Sequence, residues 1–304
     1  MTQIPKPILK WVGGKTQIID TIISNFPTMM NDYHEIFLGG GSVLFALLSS
    51  IKNGSIQVKG TIYAFDLNEP LVYIYKNIQS SHNELYDTIQ TLIDDFQNCG
   101  QGHLNRNPQS LEEAKLCKEN YYYWIRNRYN QLSDEQKKGL LGSSMIIFLN
   151  KTCFRGLYRV GPRGFNVPYG NYKNPQIISK ENLDQIHDLI QGVVFECCDF
   201  TISLCKLKKD DFVYLDPPYA PETDTSFVQY TDKGFTLKQH EDLFARLHQF
   251  EKKKIKFMMS NSDVILVNKN FNKKKYNICT IVCKRTINSK NPESTVNEVL
   301  IKNF

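Results

Sequence analysis

Four consecutive residues, Asp216-Pro217-Pro218-Tyr219, bring a carboxylate, a rigid turn and an aromatic face to one point of the chain. They follow the apolar run Asp211-Phe212-Val213-Tyr214-Leu215, which reads as a buried strand. In open α/β sheets, ligands sit outside the carboxyl ends of the strands. Proline fixes φ and carries no N–H, so carbonyls around the pair stay open to accept from a ligand. A carboxylate, a carbonyl and a π face together suit a flat base carrying an exocyclic amino group. Asp and Pro are also ordinary turn residues. Alone, the four fit a plain strand-ending turn equally well.

Three further constellations bear on the choice. Glu35-Ile36-Phe37-Leu38-Gly39-Gly40-Gly41-Ser42 is a glycine-rich passage from a strand into a helix, where a ligand can approach the backbone and meet unpaired N–H groups. Asp66 follows Gly41 by 25 residues, the spacing at which a nucleotide site places its ribose-binding acid. Trp11-Val12-Gly13-Gly14-Lys15-Thr16 has Leu9 where a phosphate loop needs its first glycine, which excludes that reading. A short turn presenting Lys15 to a carboxylate, with Trp11 beside it, competes there with an exposed loop. Finally, Arg155, Arg159 and Arg163 alternate with Tyr158, Phe165, Asn166 and Tyr169. Forked guanidinium donors and aromatic faces are what base edges and phosphates take, although a solvated hairpin has the same composition.

These groups must be positioned by regular elements. Tyr33-His34-Glu35-Ile36-Phe37, Thr61-Ile62-Tyr63-Ala64-Phe65, Val193-Val194-Phe195-Glu196, Phe212-Val213-Tyr214-Leu215 and Lys256-Phe257-Met258-Met259 read as strands. Each ends on a polar cluster: Gly39 to Ser42, Asp66-Leu67-Asn68, Asp199, Asp216, and Ser260-Asn261-Ser262. Helical patterns separate them, which predicts βαβ units and a parallel sheet with one functional edge. Cys283-Lys284-Arg285-Thr286-Ile287 and Asn297-Glu298-Val299-Leu300-Ile301 are expected to close the sheet as an antiparallel pair. Residues 76–178 break the alternation. Helical patterns such as Glu119 to Arg128 precede a Gly/Pro-punctuated hairpin from Gly156 to Gly170, and the segment is expected to be an inserted domain.

Bulk properties narrow the class. The chain has 304 residues, 41% apolar and 12% aromatic, enough for a full core in one large domain or one with an insertion. A net charge of +6 permits a nucleic-acid partner without requiring one. The lysine runs at 252–254 and 273–275 read as solvated faces. None of the eight cysteines forms a Cys-x-x-Cys pair or joins the six histidines at zinc-ligand spacing, so reduced thiols and no metal are expected. No secretory segment or membrane span is apparent, and a soluble intracellular protein is expected.

Taken in order, these segments resemble the Dam-type (D12 class, alpha group) DNA adenine-N6 methyltransferases. The resemblance rests on Leu9-Lys10-Trp11-Val12-Gly13-Gly14-Lys15, the glycine turn through Ser42, Asp66-Leu67-Asn68 and Arg155-Gly156-Leu157-Tyr158-Arg159. It continues through Phe165-Asn166-Val167-Pro168-Tyr169-Gly170, Asp216-Pro217-Pro218-Tyr219, Ser260-Asn261 and the tail from Lys284 to Asn303. Ile36 stands where that family usually has proline.

The resemblance implies a Rossmann-like methyltransferase sheet in 1–75 and 179–304. The inserted 76–178 would be a largely helical target-recognition domain carrying a β-hairpin. It implies S-adenosylmethionine held by Trp11, Lys15, Phe37, Gly39, Gly41, Ser42, Asp66, Asn68, Asp199 and Asp216, with Lys15 near the methionine carboxylate and Asp66 on the ribose. It further implies transfer at Asp216, Pro217, Pro218 and Tyr219, and contact with double-stranded DNA by Lys10, Arg155, Leu157, Tyr158, Arg159, Arg163, Asn166 and Tyr169. A short palindromic target such as GATC or CATG and a cognate restriction endonuclease belong to the same expectation.

Other readings differ in what they leave unexplained. An RNA-adenine or protein-amide methyltransferase could use the same acceptor turn, but the Arg/aromatic hairpin favours nucleic acid. Cytosine-N4 enzymes usually carry serine in place of Asp216. A DNA-binding module without activity leaves Asp216 and the glycine turn without a purpose. Base deamination lacks its zinc-ligand spacing.

Overall fold

A computed structural model describes residues 4–220, 235–284 and 295–304. The strands are β1 (Met29–Met30), β2 (Tyr33–Glu35), β3 (Gln57–Val58), β4 (Ile62–Asp66), β5 (Val160–Gly161) and β6 (Gly164–Phe165). They continue with β7 (Val194–Cys197), β8 (Phe212–Leu215), β9 (Lys256–Ser262), β10 (Asn277–Lys284) and β11 (Thr295–Lys302). Seven of them form one sheet in the order β10-β11-β9-β8-β2-β4-β7. From β9 to β7 the pairing is parallel, and β11 and β10 close the sheet antiparallel.

β8 is buried along its whole length, as a central parallel strand covered on both faces should be. Its side chains alternate between two cores. Phe212 and Tyr214 join Tyr33, Met258 and Leu300 on one face, while Val213 and Leu215 join Phe65, Phe257 and Met259 on the other. β2 pairs with β4 on one side and β8 on the other. The loops after β2 and β8 therefore leave the sheet in opposite directions and open a crevice between them. Ile36 N donates to Tyr214 O at 3.2 Å, so Ile36 extends the β2–β8 ladder, which a proline there, having no N–H, would not do.

Helices α1 (Ile19–Ser24) and α2 (Ser42–Lys52) flank the first core, and α3 (Glu69–Gln97) leaves β4. α3 starts on an Asn68 cap, whose Oδ1 accepts from Leu71 N at 3.2 Å, and breaks at Ser81 (φ −152°). The middle segment continues as α4 (Leu111–Ala114), α5 (Lys118–Gln131), α6 (Asp134–Lys138) and α7 (Leu140–Thr152), and α8 (Lys180–Leu189) returns the chain to the sheet. It shares the first core: Leu85, Ile89, Tyr122 and Phe148 belong to the same apolar cluster as Leu44 and Tyr214.

Two strand expectations need correction. β9 does not stop before the polar cluster but runs through Ser260-Asn261-Ser262. β11 pairs with it there, Ser260 with Leu300 and Ser262 with Glu298. β10 begins at Asn277, before the expected Cys283, and pairs Ile278 with Ile301. Arg285, Thr286 and Ile287 lie outside the described residues.

Candidate active site

Asp216 leaves β8 at the crevice and meets Lys15, whose Nζ lies 2.8 Å from Asp216 Oδ2. Burial raises the Asp216 carboxyl to about 6, and the Lys15 ammonium limits that rise. Asp216 Oδ1 is buried and accepts no hydrogen bond from the described residues. A buried acceptor without a donor is costly, so a donor supplied from outside the chain would bind there with advantage.

Lys15 is itself held on several sides. Its Nζ donates to Gly13 O (2.7 Å), its backbone N–H donates to Ser42 Oγ (3.2 Å), and its ammonium lies 4.8 Å from the Tyr219 ring centre. An ammonium has three donors. Asp216 and Gly13 take two, leaving one for an external carboxylate. The residue pattern presents Lys15 to a carboxylate and the resemblance makes that the cofactor's; in the fold the carboxylate it meets is that of Asp216.

Tyr219 donates its hydroxyl to Glu298 Oε2 at 2.6 Å, which fixes the ring at the mouth of the crevice. Glu298 is a functional candidate that sequence reasoning missed. The available signal was a lone acid within β11, the strand sequence TVNEVLIK. Beyond Tyr219, Ala220 N donates to Asn261 Oδ1 (3.1 Å) and Ser262 Oγ donates to Ala220 O (2.6 Å), so the polar end of β9 clamps the turn. Pro217 is buried and Pro218 exposed.

The glycine turn forms the other wall. Gly39 (φ +50°) and Gly41 (φ +74°) adopt the left-handed region. A Cβ on Gly39 would lie 3.0 Å from Trp11 Cδ1, and one on Gly41 only 2.7 Å from the Tyr75 hydroxyl oxygen. Asp66 Oδ2 accepts from Gly39 N (2.9 Å) and Oδ1 from Asn68 N (2.8 Å). The acid thus ties the turn to β4, and a ribose would use its remaining lone pairs. Asp199 caps α9 (Phe200–Ser203) through Thr201 N at 2.9 Å. Phe37 packs against Phe200 and Phe235. Behind the turn, Glu35 is fully buried, accepts from Tyr33 Oη at 2.8 Å, and is pushed by burial to about 8.

Such a crevice, with a glycine turn, an acid on the next strand and a half-satisfied carboxylate before two prolines, matches a known family pattern. Residues 11–287 match the D12 class N6 adenine-specific DNA methyltransferases. The chain belongs to that family. It is similar to the type II methyltransferase M.MjaIII of Methanocaldococcus jannaschii, 37% identical over 98% of this chain and 99% of that protein. The DNA adenine methylase of Haemophilus influenzae is 28% identical, over 96% of this chain and 90% of that protein. That of Escherichia coli K12 is 27% identical, over 93% and 90%.

The middle segment of this methyltransferase carries all but Lys10 of the residues expected to contact DNA. Val160 pairs with Phe165 and Gly161 with Gly164, and Arg163 projects from the exposed turn between them. Arg159 is exposed, its Nε donating to Asn166 Oδ1 (2.6 Å) and its Nη2 to Asn166 O (3.2 Å). Arg155 has a positive φ of 58° and donates its N–H to the Tyr172 hydroxyl at 2.9 Å. Tyr158 lies 5.6 Å from Trp11, ring centre to ring centre, and Leu157 packs on the core. Tyr169 is placed differently from the others: its ring packs inward, 5.4 Å from Tyr122 and 6.4 Å from Phe96.

Asn150, in α7 and 1% exposed, carries no signal in the sequence. Its Oδ1 accepts from Lys10 N (2.8 Å), and its Nδ2 donates to Lys10 O (2.9 Å) and Gly156 O (3.0 Å). One buried amide therefore joins the stretch of chain before Trp11 to the loop before Arg159. Lys10 Nζ completes the junction, 4.3 Å from the Tyr172 ring centre.

Proposed function

We propose that this adenine-specific DNA methyltransferase binds S-adenosylmethionine in the crevice between β2 and β8. In this reading it acts on an adenine extruded from duplex DNA into the space beside Asp216. The unpaired, buried Asp216 Oδ1 carries the reading. Trp11, Phe37, Gly39, Gly41, Asp66 and the free donor of Lys15 would hold the cofactor, grouped about the glycine turn that Asp66 ties to β4. Asn68 and Asp199 would complete that wall. When bound, the cofactor supplies an electrophilic sulfonium methyl group.

The chain's own residues prepare the nucleophile. The N6 lone pair of adenine is delocalised into the ring, so the amine is a poor nucleophile. Asp216 Oδ1 and the Pro217 carbonyl accept its two hydrogens, which localises the lone pair on nitrogen. Tyr219, with its hydroxyl pinned by Glu298, offers a fixed face for the flipped base and offsets an extrusion cost on the order of a few kcal/mol. Lys15 keeps Asp216 ionised at neutral pH. Orientation of this kind is worth roughly 7–11 kcal/mol in favourable cases.

Lys10, Arg155, Leu157, Tyr158, Arg159, Arg163 and Asn166 form the DNA-reading side in this proposal, with Tyr169 supporting them from the core. Residues 76–178 serve as the target-recognition unit. The type II designation of the Methanocaldococcus relative supports action alongside a cognate restriction endonuclease. Among the described residues, no helix is long and apolar enough to cross a membrane.

The test is transfer of labelled methyl from S-adenosylmethionine into unmethylated genomic DNA, read by sequencing for N6-methyladenine. Modification at one short motif is expected. A folded Asp216→Ala variant should transfer nothing, and near-normal rates in that variant would refute the mechanism.

A further inference from the structure

The lysine runs that read as separate solvated faces converge in the fold. The turn at 208–211 is joined to residues 254–256 by Asp210 N donating to Lys254 O (2.9 Å) and Lys256 N donating to Asp211 O (3.0 Å). Lys275 Nζ lies 3.5 Å from Glu251 Oε2, which brings 273–275 against 251–253. Lys256 and Lys302 reach the Phe304 ring at 5.7 and 5.2 Å. Lysines 208–209, 252–254 and 273–275, two, three and three, are all exposed. The exposed acids on these segments are Glu251 and Asp210, beside Lys275 and Lys209; Asp211 is fully buried. The result is a strongly cationic edge.

Its position is as telling as its charge. β8 and β9 start here, at Phe212 and Lys256, and β8 runs from this edge toward Asp216. The lysines therefore lie at the opposite end of the sheet from the catalytic crevice, where a straight duplex engaged at the crevice does not pass. The three runs contain lysine and no arginine. Lysine is a flexible point charge suited to phosphate, whereas bidentate reading of base edges favours arginine. The Arg/aromatic hairpin has the opposite composition.

We propose that this edge is a second nucleic-acid surface, which takes the phosphate backbone of a further segment of the DNA whose target site occupies the crevice. The proposal rests on DNA being the substrate. It holds the enzyme on long DNA without contributing to recognition or transfer at the target. A short duplex, too stiff to bend round from one end of the sheet to the other, gains nothing from it.

The experiment compares the unaltered protein with a variant carrying Lys252→Gln, Lys253→Gln, Lys273→Gln and Lys274→Gln, which leaves the Lys275–Glu251 pair in place. Methylation is measured on a single-site duplex of roughly 14 base pairs, about 48 Å long at 3.4 Å per step, and on a plasmid bearing the same site, across a salt series. Equal melting temperatures establish that the variant is folded. The expected result is an unchanged kcat and KM on the short duplex. On the plasmid KM rises roughly tenfold, and the slope of log affinity against log salt falls by about 0.9 for each phosphate that is no longer neutralised. An unchanged plasmid KM and salt slope would overturn the proposal and leave the edge to water or an acidic protein. Equal losses on both substrates would also overturn it, by assigning the lysines to the catalytic side. Failure of the unaltered protein to methylate either DNA would instead count against the functional reading.

Discussion

Asn150 hydrogen-bonds both the N–H and the carbonyl of Lys10, a residue 140 positions earlier in the chain. A side-chain amide that satisfies one backbone unit in both directions acts as a clamp. This one joins the segment carrying Trp11 and Lys15 to the loop carrying Arg155 and Arg159. Asn150→Ala should leave buried backbone groups unpaired and cost about 1–3 kcal/mol. The clamp further predicts that DNA binding tightens cofactor binding and that Asn150→Ala reduces this effect. Titration of cofactor with and without duplex, in the variant and the parent, measures the coupling directly. An unchanged ratio would reduce Asn150 to a structural role.

The Asp216 carboxyl, raised to about 6 by burial against the opposing influence of Lys15, acts only as an acceptor when ionised. kcat/KM should therefore be flat above pH 7 and fall as pH drops through about 6, by roughly tenfold per unit below it. Lys15→Met removes the group that favours the ionised form, so the acid limb should move to higher pH as the rate drops. A limb that stays in place would show that another group controls it.

Glu298→Ala should release the Tyr219 hydroxyl and leave the ring free to turn. The expectation is a rate loss of roughly 10- to 100-fold, about 1.4–2.7 kcal/mol, with little change in duplex affinity. A 2-aminopurine placed at the target position should report weaker capture of the flipped base. Tyr219→Phe, which keeps the stacking face, should lose less than Tyr219→Ala.

Glu35 supplies a stability prediction. Its carboxyl is raised by burial to about 8, above its unfolded value, so it favours the folded state in its protonated form. That contribution is complete below about pH 4.5 and is lost as pH rises through about 8. Melting temperature should decline between about pH 4.5 and pH 8, and Glu35→Gln, which cannot ionise, should flatten the decline. A parallel fall in both proteins would sink the assignment.

Much of the fold was legible in the amino-acid sequence because its signals are short-range. Apolar runs ending on polar turns marked β2, β4, β7 and β8. The prolines and glycines announced the two loops that face the crevice, since backbone restriction is local to those residues. Strand ends were less legible. Ser260 and Asn261 are polar, yet β9 carries them to complete burial because β11 supplies their ladder, the Tyr214 hydroxyl pairs with Ser260 Oγ and Ala220 N donates to Asn261 Oδ1.

Periodicity and turn chemistry were enough to specify the strands, the acceptor turn, the glycine turn and the candidate acids. Packing in three dimensions was needed to pair Lys15 with Asp216, to anchor Tyr219 on Glu298, to clamp Lys10 with Asn150, to turn Tyr169 inward and to gather three lysine runs at one edge. Each of these depends on sheet order and long-range packing. Residues 24 to 201 positions apart meet there because strands and helices are stacked, and no local propensity encodes that adjacency.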